Sequence, residues 1–234
     1  MKTTLVLIGG GEIGNGETRP IDEKVRSLSW KGNPHVLFLP TASHDAESYV
    51  EAVKGAYGAL GCEVEGLYLY DAAPSHGELQ EALNWADIVY IGGGNTKDLL
   101  FRLKKTGFDR LLVKAVNERE DLTVAGISAG ASMWCEYSYA DCDILSGVSN
   151  QMVFLKCLGY LPFVFNPHSQ DPARAGFLEA IRGREFKKAY SLENDTALII
   201  RAKKVSEFVR GYPDKKGLEI RRGENGKVVK IELQ

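Results

Sequence analysis

Short apolar runs alternate with amphipathic stretches along the first half of this chain. Thr4–Ile8 reads as a strand that stops at Gly9-Gly10-Gly11, and His35–Leu39 as a second that ends at Pro40-Thr41. A helix is expected from near Asp45 to about Leu60, a third strand over Cys62–Leu69, and a helix over Glu78–Asn84. Asp87–Ile91 is the next strand and stops at Gly92-Gly93-Gly94; Asn95 or Thr96 can cap a helix through Lys105. A helix over Phe108–Arg119 then precedes the β-branched run that enters Ser128. This βα alternation implies a parallel sheet covered on both faces. Beyond Ser128 an amphipathic helix is expected, and Tyr137–Asn150 reads as loop. Phe163–Phe165 reads as a strand delivering Asn166-Pro167-His168, and Pro172–Arg182 as a helix. From Lys188 on, apolar alternation and turn signals at Asp195-Thr196, Pro213-Asp214 and Glu224-Asn225-Gly226 suggest an antiparallel β tail.

The 234 residues are 44% hydrophobic and 26% charged, which suits one α/β domain. The formal charge of -2 is spread without a basic block, which argues against nucleic-acid and membrane-surface partners. No signal peptide or transmembrane run is visible, so a cytoplasmic location is expected. Cys62, Cys135, Cys142 and Cys157 lack C-x-x-C spacing and read as free thiols. His35, His44, His76 and His168 are scattered, so no metal is expected.

The segment Gly126-Ile127-Ser128-Ala129-Gly130 has the form of a nucleophile elbow, G-x-S-x-G, in which a serine sits on a tight strand-to-helix turn. Small residues are needed where side chains would collide with the turn, and the Ala129 N–H at the helix start can face an oxyanion. A serine needs a base and a group that orients the base. His168, at the end of a predicted strand, is the best base, with His44 second. Asp141, Asp143, Glu193 and Asp195 all fall in plausible loops, and spacing does not choose an orienting group among them. Gly92-Gly93-Gly94-Asn95-Thr96 is a second oxyanion or substrate loop. Gly9, Gly11 and Gly14 fit a dinucleotide fingerprint loosely, but no immediate helix follows, which makes nucleotide binding a weak alternative.

Taken with Leu39-Pro40-Thr41-Ala42-Ser43, Asn166-Pro167-His168 and Asp195-Thr196-Ala197-Leu198, these motifs resemble the S51 peptidase family, which holds dipeptidase E (aspartyl dipeptidase) and the cyanophycinases. The resemblance runs to about Leu198. It implies a cofactor-free serine exopeptidase on a three-layer α/β sandwich, flavodoxin-like or class I glutamine amidotransferase-like, with residues 205–234 as a β-rich extension of the single domain. Ser128 then matches the nucleophile, His168 the base, and Gly93 or Gly94 with Ala129 the oxyanion donors. Asp143 matches an active-site aspartate. Arg174 matches the arginine that receives a substrate aspartyl carboxylate, with Asn95 and Thr96 beside the substrate. One departure matters: Asn194 falls where family members carry the acid that orients the histidine. The expected substrate is a small peptide with N-terminal aspartate, handled by a monomer or homodimer. The rivals are a cyanophycinase-like or isoaspartyl exopeptidase and a catalytically silent sensor. A glutamine amidotransferase is disfavoured, since those enzymes carry cysteine where Ser128 stands.

Overall fold

Successive side chains of strand β1 (Thr4–Ile8) enter different cores: Leu5 and Leu7 pack into one cluster, Val6 and Ile8 into another. An unbroken apolar run is what a strand buried on both faces requires. The computed structural model describes residues 3–223 and 227–234, so the Glu224-Asn225-Gly226 turn lies outside the described residues. Strands β2 (His35–Leu39), β3 (Glu63–Gly66), β4 (Ile88–Ile91) and β5 (Thr123–Ile127) join β1 in parallel, in the order β1-β5-β4-β2-β3.

Helices α1 (Arg19–Ser27) and α2 (Glu47–Gly58) cover one face through Ile21, Val25, Val50, Val53 and Tyr57. Helices α3 (His76–Trp85), α4 (Thr96–Thr106) and α5 (Phe108–Glu118) cover the other through Leu79, Leu99, Leu103 and Leu112. Their ends follow capping chemistry. Ser75 and Glu78 form a reciprocal capping box on α3, Asn95 caps α4, and Gly107 turns left-handed between α4 and α5.

Helix α1 is an element the sequence reading lacks, and after β5 the structure departs from that reading further. The expected amphipathic helix is a single buried turn, α6 (Ala129–Ser132). The segment read as loop instead supplies strand β6 (Cys135–Ala140) and the short helix α7 (Cys142–Leu145). Strands β7 (Val153–Lys156) and β8 (Leu161–Asn166) follow, and β6 pairs with both. The helix expected over Pro172–Arg182 is divided into a 3-10 turn at Pro172–Arg174 and α8 (Phe177–Arg182).

The tail does not form one antiparallel unit. Strand β9 (Lys188–Leu192) runs parallel to β8, while β10 (Thr196–Arg201) and β11 (Lys204–Arg210) extend the central sheet antiparallel beyond β1. Strands β12 (Gly217–Arg222) and β13 (Val228–Glu232) return to β9. The result is a seven-stranded sheet, β11-β10-β1-β5-β4-β2-β3, and a six-stranded sheet, β13-β12-β9-β8-β6-β7. The second sheet is an addition to the expected layering. Its Phe165, Tyr190 and Leu192 pack with Trp134 into the same core as α3–α5, and α8 covers it from beyond through Phe177 and Ile181. Short apolar strands such as β9 and β10 carry no local mark of which sheet they join; long-range pairing decides it. No helix among the described residues is long and apolar enough to cross a membrane.

Candidate active site

Ser128 follows β5 with φ 52 and ψ -106, a left-handed conformation rare for a residue with a side chain. Its N–H donates to the Ile8 carbonyl (3.0 Å), which continues the β1–β5 pairing by one residue. The flanking glycines are dictated by close approach. A Cβ at Gly126 would overlap the Gly130 carbonyl, and one at Gly130 would overlap the Ile91 carbonyl. The turn is therefore pressed onto the ends of β4 and β5, and Ser128 stands at the carboxyl end of the sheet.

Three loops meet it there. His168 lies just after β8 with φ 50, and its N–H donates to the Gly9 carbonyl (2.9 Å). The loop between β9 and β10 is held by Asp195 N–H on the Gly10 carbonyl (2.9 Å) and Asn194 N–H on Gln170 Oε1 (3.0 Å). The Gly9-Gly10-Gly11 segment is thus a backbone seat for both loops. A Cβ at Gly10 would fall into the His168 ring and the Asn194 carboxamide, and one at Gly11 into the Asp195 carboxylate. The first full helix after these glycines begins only at Arg19, so the helix N-terminus that a dinucleotide fingerprint needs is missing from the turn.

Ser128 Oγ–H donates to His168 Nε2 (2.8 Å), and His168 Nδ1–H donates to Asn194 Oδ1 (2.7 Å). This line of contacts keeps the imidazole in the tautomer whose Nε2 faces the serine. Burial pushes His168 below the ordinary histidine value; the Asn194 hydrogen bond opposes this, and the Arg174 charge adds to it. The ring is therefore neutral, and competent to accept a proton, over a wider acidic range than a solvent-exposed histidine.

The carboxylates around the relay are engaged elsewhere. Asp141 pairs with Arg174 (3.0 Å), Asp143 with Lys97 (3.3 Å) and Asp195 with Lys215 (3.3 Å). Glu193 Oε2 accepts the Lys216 N–H (2.9 Å). His44, the second candidate base, pairs with Asp98 (2.9 Å) and stacks on Tyr70. Arg174 is buried, and its terminal nitrogens donate to the Tyr139 carbonyl (2.6 Å) and to Asp141. Asn95 is turned to structural work: Oδ1 caps α4, and Nδ2 donates to the Cys142 carbonyl and Ser146 Oγ. Thr96, the first residue of α4, is buried behind it.

Gly93 lies directly against Ser128; a Cβ there would sit 3.5 Å from Ser128 Cβ. Gly94, at φ 133, is pressed onto the Ala42 carbonyl. Ala129 opens α6, so its N–H has no intrahelical acceptor. The Gly93 N–H donates to the Tyr49 hydroxyl (3.3 Å). Tyr49, Glu12, Ser48 and Ala52 join Gly93, Gly94, Ser128 and His168 around a cleft of about 500 Å³. Sequence reasoning gave none of these first four residues a role. Tyr49 sits in an amphipathic helix, where an aromatic residue reads as core, and Glu12 follows the glycine loop with no spacing signal of its own.

A serine hydroxyl on a strained turn, hydrogen-bonded to a buried histidine beside an open cleft, is an arrangement that can support acyl transfer. Comparison with known proteins places the chain among peptidases. The model of Peptidase family S51 matches residues 5–208. The chain is similar to the uncharacterized peptidase YgaJ of Bacillus subtilis (strain 168), with 30% identity over 85% of this chain and 83% of that protein. It is similar to Peptidase E of Streptomyces coelicolor, with 32% identity over 70% of this chain and 63% of that one. Among solved structures, a Listeria monocytogenes EGD-e protein described as peptidase E superposes with a TM-score of 0.68 at 27% identity, covering 90% of this chain and 99% of that one.

Proposed function

Because this chain belongs to peptidase family S51, we propose that it is a serine-type exopeptidase of short peptides in which Ser128, His168 and Asn194 act as nucleophile, base and orienting group. The observation that carries this reading is the continuous Ser128–His168–Asn194 hydrogen-bond line of 2.8 and 2.7 Å beside an open cleft. Ser128 Oγ attacks the scissile carbonyl as His168 Nε2 takes its proton. The oxyanion is met by the Ala129 N–H and by the Gly93-Gly94 turn. His168 then protonates the leaving amine, and water resolves the acyl-enzyme with His168 again as base. An asparagine can hold the histidine tautomer, but it stabilises the imidazolium less than a carboxylate does, so the acylation step is expected to be slower than with an acid at Asn194.

The preferred substrate in this reading is a dipeptide or short peptide with N-terminal aspartate. Support comes from the resemblance to dipeptidase E and from Arg174, whose charge is close enough to act on His168. Receiving a substrate carboxylate on Arg174 would require exchange with Asp141, its present partner. The test is hydrolysis of Asp-Leu, Asn-Leu, Glu-Leu, Ala-Leu and β-Asp-Leu, with Ser128→Ala as control. Cleavage of Asp-Leu above the rest, lost in the variant, supports the aspartyl dipeptidase reading. Preference for β-Asp-Leu moves it to an isoaspartyl or cyanophycinase-like enzyme. Cleavage that survives Ser128→Ala at full rate overturns the serine mechanism, and no cleavage at all points to a silent protein on this fold.

A further inference from the structure

An exopeptidase has to sense a chain end, and the two ends differ in charge: the amino end is an ammonium, the carboxyl end a carboxylate. The cleft beside Ser128 has a fixed charge that distinguishes them. Among its lining residues the ionisable side chains are Glu12, Tyr49 and His168, and no lysine or arginine lines it among the described residues. His168 is held neutral by burial. Arg174, the nearby buried cation, does not line the cleft and is paired with Asp141 (3.0 Å).

Resting on the peptidase reading above, we infer that Glu12 receives the α-ammonium of the substrate's first residue, which makes the cleft selective for peptides with a free amino end. Glu12 is fixed before any substrate arrives. Its N–H donates to Glu17 Oε2 (3.0 Å), and its Oε1 accepts the Gly14 N–H (3.3 Å). The other carboxylate oxygen takes no hydrogen bond among the described residues, and the side chain is open to solvent at the cleft. Its field reaches the cleft floor, because the Glu12 charge contributes to pushing the phenols of Tyr49 and Tyr90 upward. A recess of about 320 Å³ adjoins the cleft across Gly14 and Ala52; its Arg19 is paired with Glu23 (2.9 Å), its Glu51 with Lys54 (3.0 Å), and its buried Asp22 accepts the Thr18 and Tyr57 hydroxyls, so none of them offsets the Glu12 charge. A charge-assisted contact from an ammonium to a placed carboxylate is favourable there, while a terminal carboxylate meets like charge.

The experiment is calorimetric titration of the Ser128→Ala protein with Asp-Leu, N-acetyl-Asp-Leu and Asp-Leu amide, repeated with Glu12→Gln added. Gln keeps a carbonyl oxygen for the Gly14 N–H, so the loop retains its cap. Acetylation and Glu12→Gln are each expected to weaken binding about 10- to 100-fold, while amidation at the far end leaves it close to that of Asp-Leu. Binding of Asp-Leu should also fall as pH rises through the α-amino value of about 7.7–8.0. Equal binding of the acetylated peptide, unchanged binding by Glu12→Gln, or no binding of any of the three peptides overturns the inference. Discrimination by the variant protein, with no hydrolysis by the wild type, overturns the peptidase reading and leaves the role of Glu12 standing.

Discussion

Asn194 Oδ1 lies 2.7 Å from Nδ1 of His168, in a loop whose two flanking residues are both carboxylic acids. Neither acid faces the ring. Glu193 is held by the Lys216 N–H and Asp195 by Lys215, both from the turn between β11 and β12. The C-terminal segment thus acts on the site from outside the matched region, by fixing which of three consecutive side chains meets the histidine.

The first prediction concerns charge at that position. Asn194→Ala is expected to lower kcat by roughly 10²–10⁴, the range seen when a relay histidine loses its orienting partner. Asn194→Asp adds a negative charge beside Nδ1, favours the imidazolium and raises the histidine pKa. The acidic limb of the kcat/KM profile of the wild type should fall below the ordinary histidine value and move to higher pH in Asn194→Asp. A limb that does not move would separate Asn194 from the base.

Gly10→Ala should be far more damaging to catalysis than its size suggests, because the added Cβ enters the His168–Asn194 contact. A loss of at least about 100-fold in kcat is expected, the scale of a small displacement of a catalytic group. Gly58→Ala in α2, where nothing lies within 4 Å of the added Cβ, is the control. It should leave activity intact and add about 0.5–1 kcal/mol of helix stability, read by urea unfolding.

Tyr49 offers a test of the oxyanion loop. Its hydroxyl accepts the Gly93 N–H (3.3 Å), and burial pushes the phenol up to about 12, so it stays protonated and retains a proton to donate. Tyr49→Phe is expected to lower kcat by about 10- to 100-fold with a smaller change in KM, somewhat less than the loss of a full oxyanion donor. A faster variant would instead make the hydroxyl a placeholder that substrate displaces.

Asp22 should leave a pH signature in stability rather than in rate. Burial raises its pKa to about 6 against the lowering effect of hydrogen bonds from Thr18 and Tyr57. A raised carboxylate binds more protons in the folded state, so its contribution is most favourable below the unfolded value near 4 and is lost as pH climbs through about 6. The shift corresponds to about 3 kcal/mol. The Tm difference between Asp22→Asn and wild type should therefore grow in favour of the variant from pH 4 to 6 and flatten above. A difference independent of pH would mean the carboxyl ionises as freely when folded as when unfolded.

Much of this protein is legible in local sequence. The run TLVLI, the stops at Gly9-Gly10-Gly11 and Gly92-Gly93-Gly94, and the cap at Asn95 are short-range sterics and hydrogen bonding, and β1, β2, β4, α4 and α5 follow them. Ser128 is legible for the same reason: Gly126 and Gly130 are demanded by contacts within the elbow itself and with the adjacent strand end. Helix α1 is absent from the sequence reading, because it begins only after a 3-10 turn and Gly16 at φ 80.

What tertiary structure alone decided is longer in range. Strand β6 is paired along one edge with β7 and along the other with β8, and an alternating stretch such as Cys135–Ala140 has no reason to be extended until those partners exist. The choice among Asp143, Glu193, Asn194 and Asp195 is of the same kind. Lys97, Lys216, Lys215 and the Gly10 carbonyl, all distant in sequence or on other strands, occupy the alternatives or pin the backbone. A shift of one residue in that loop would exchange an amide for a carboxylate at His168. Residue type and spacing determined which groups were available, and the long-range hydrogen bonds of the folded chain determined which one the histidine meets.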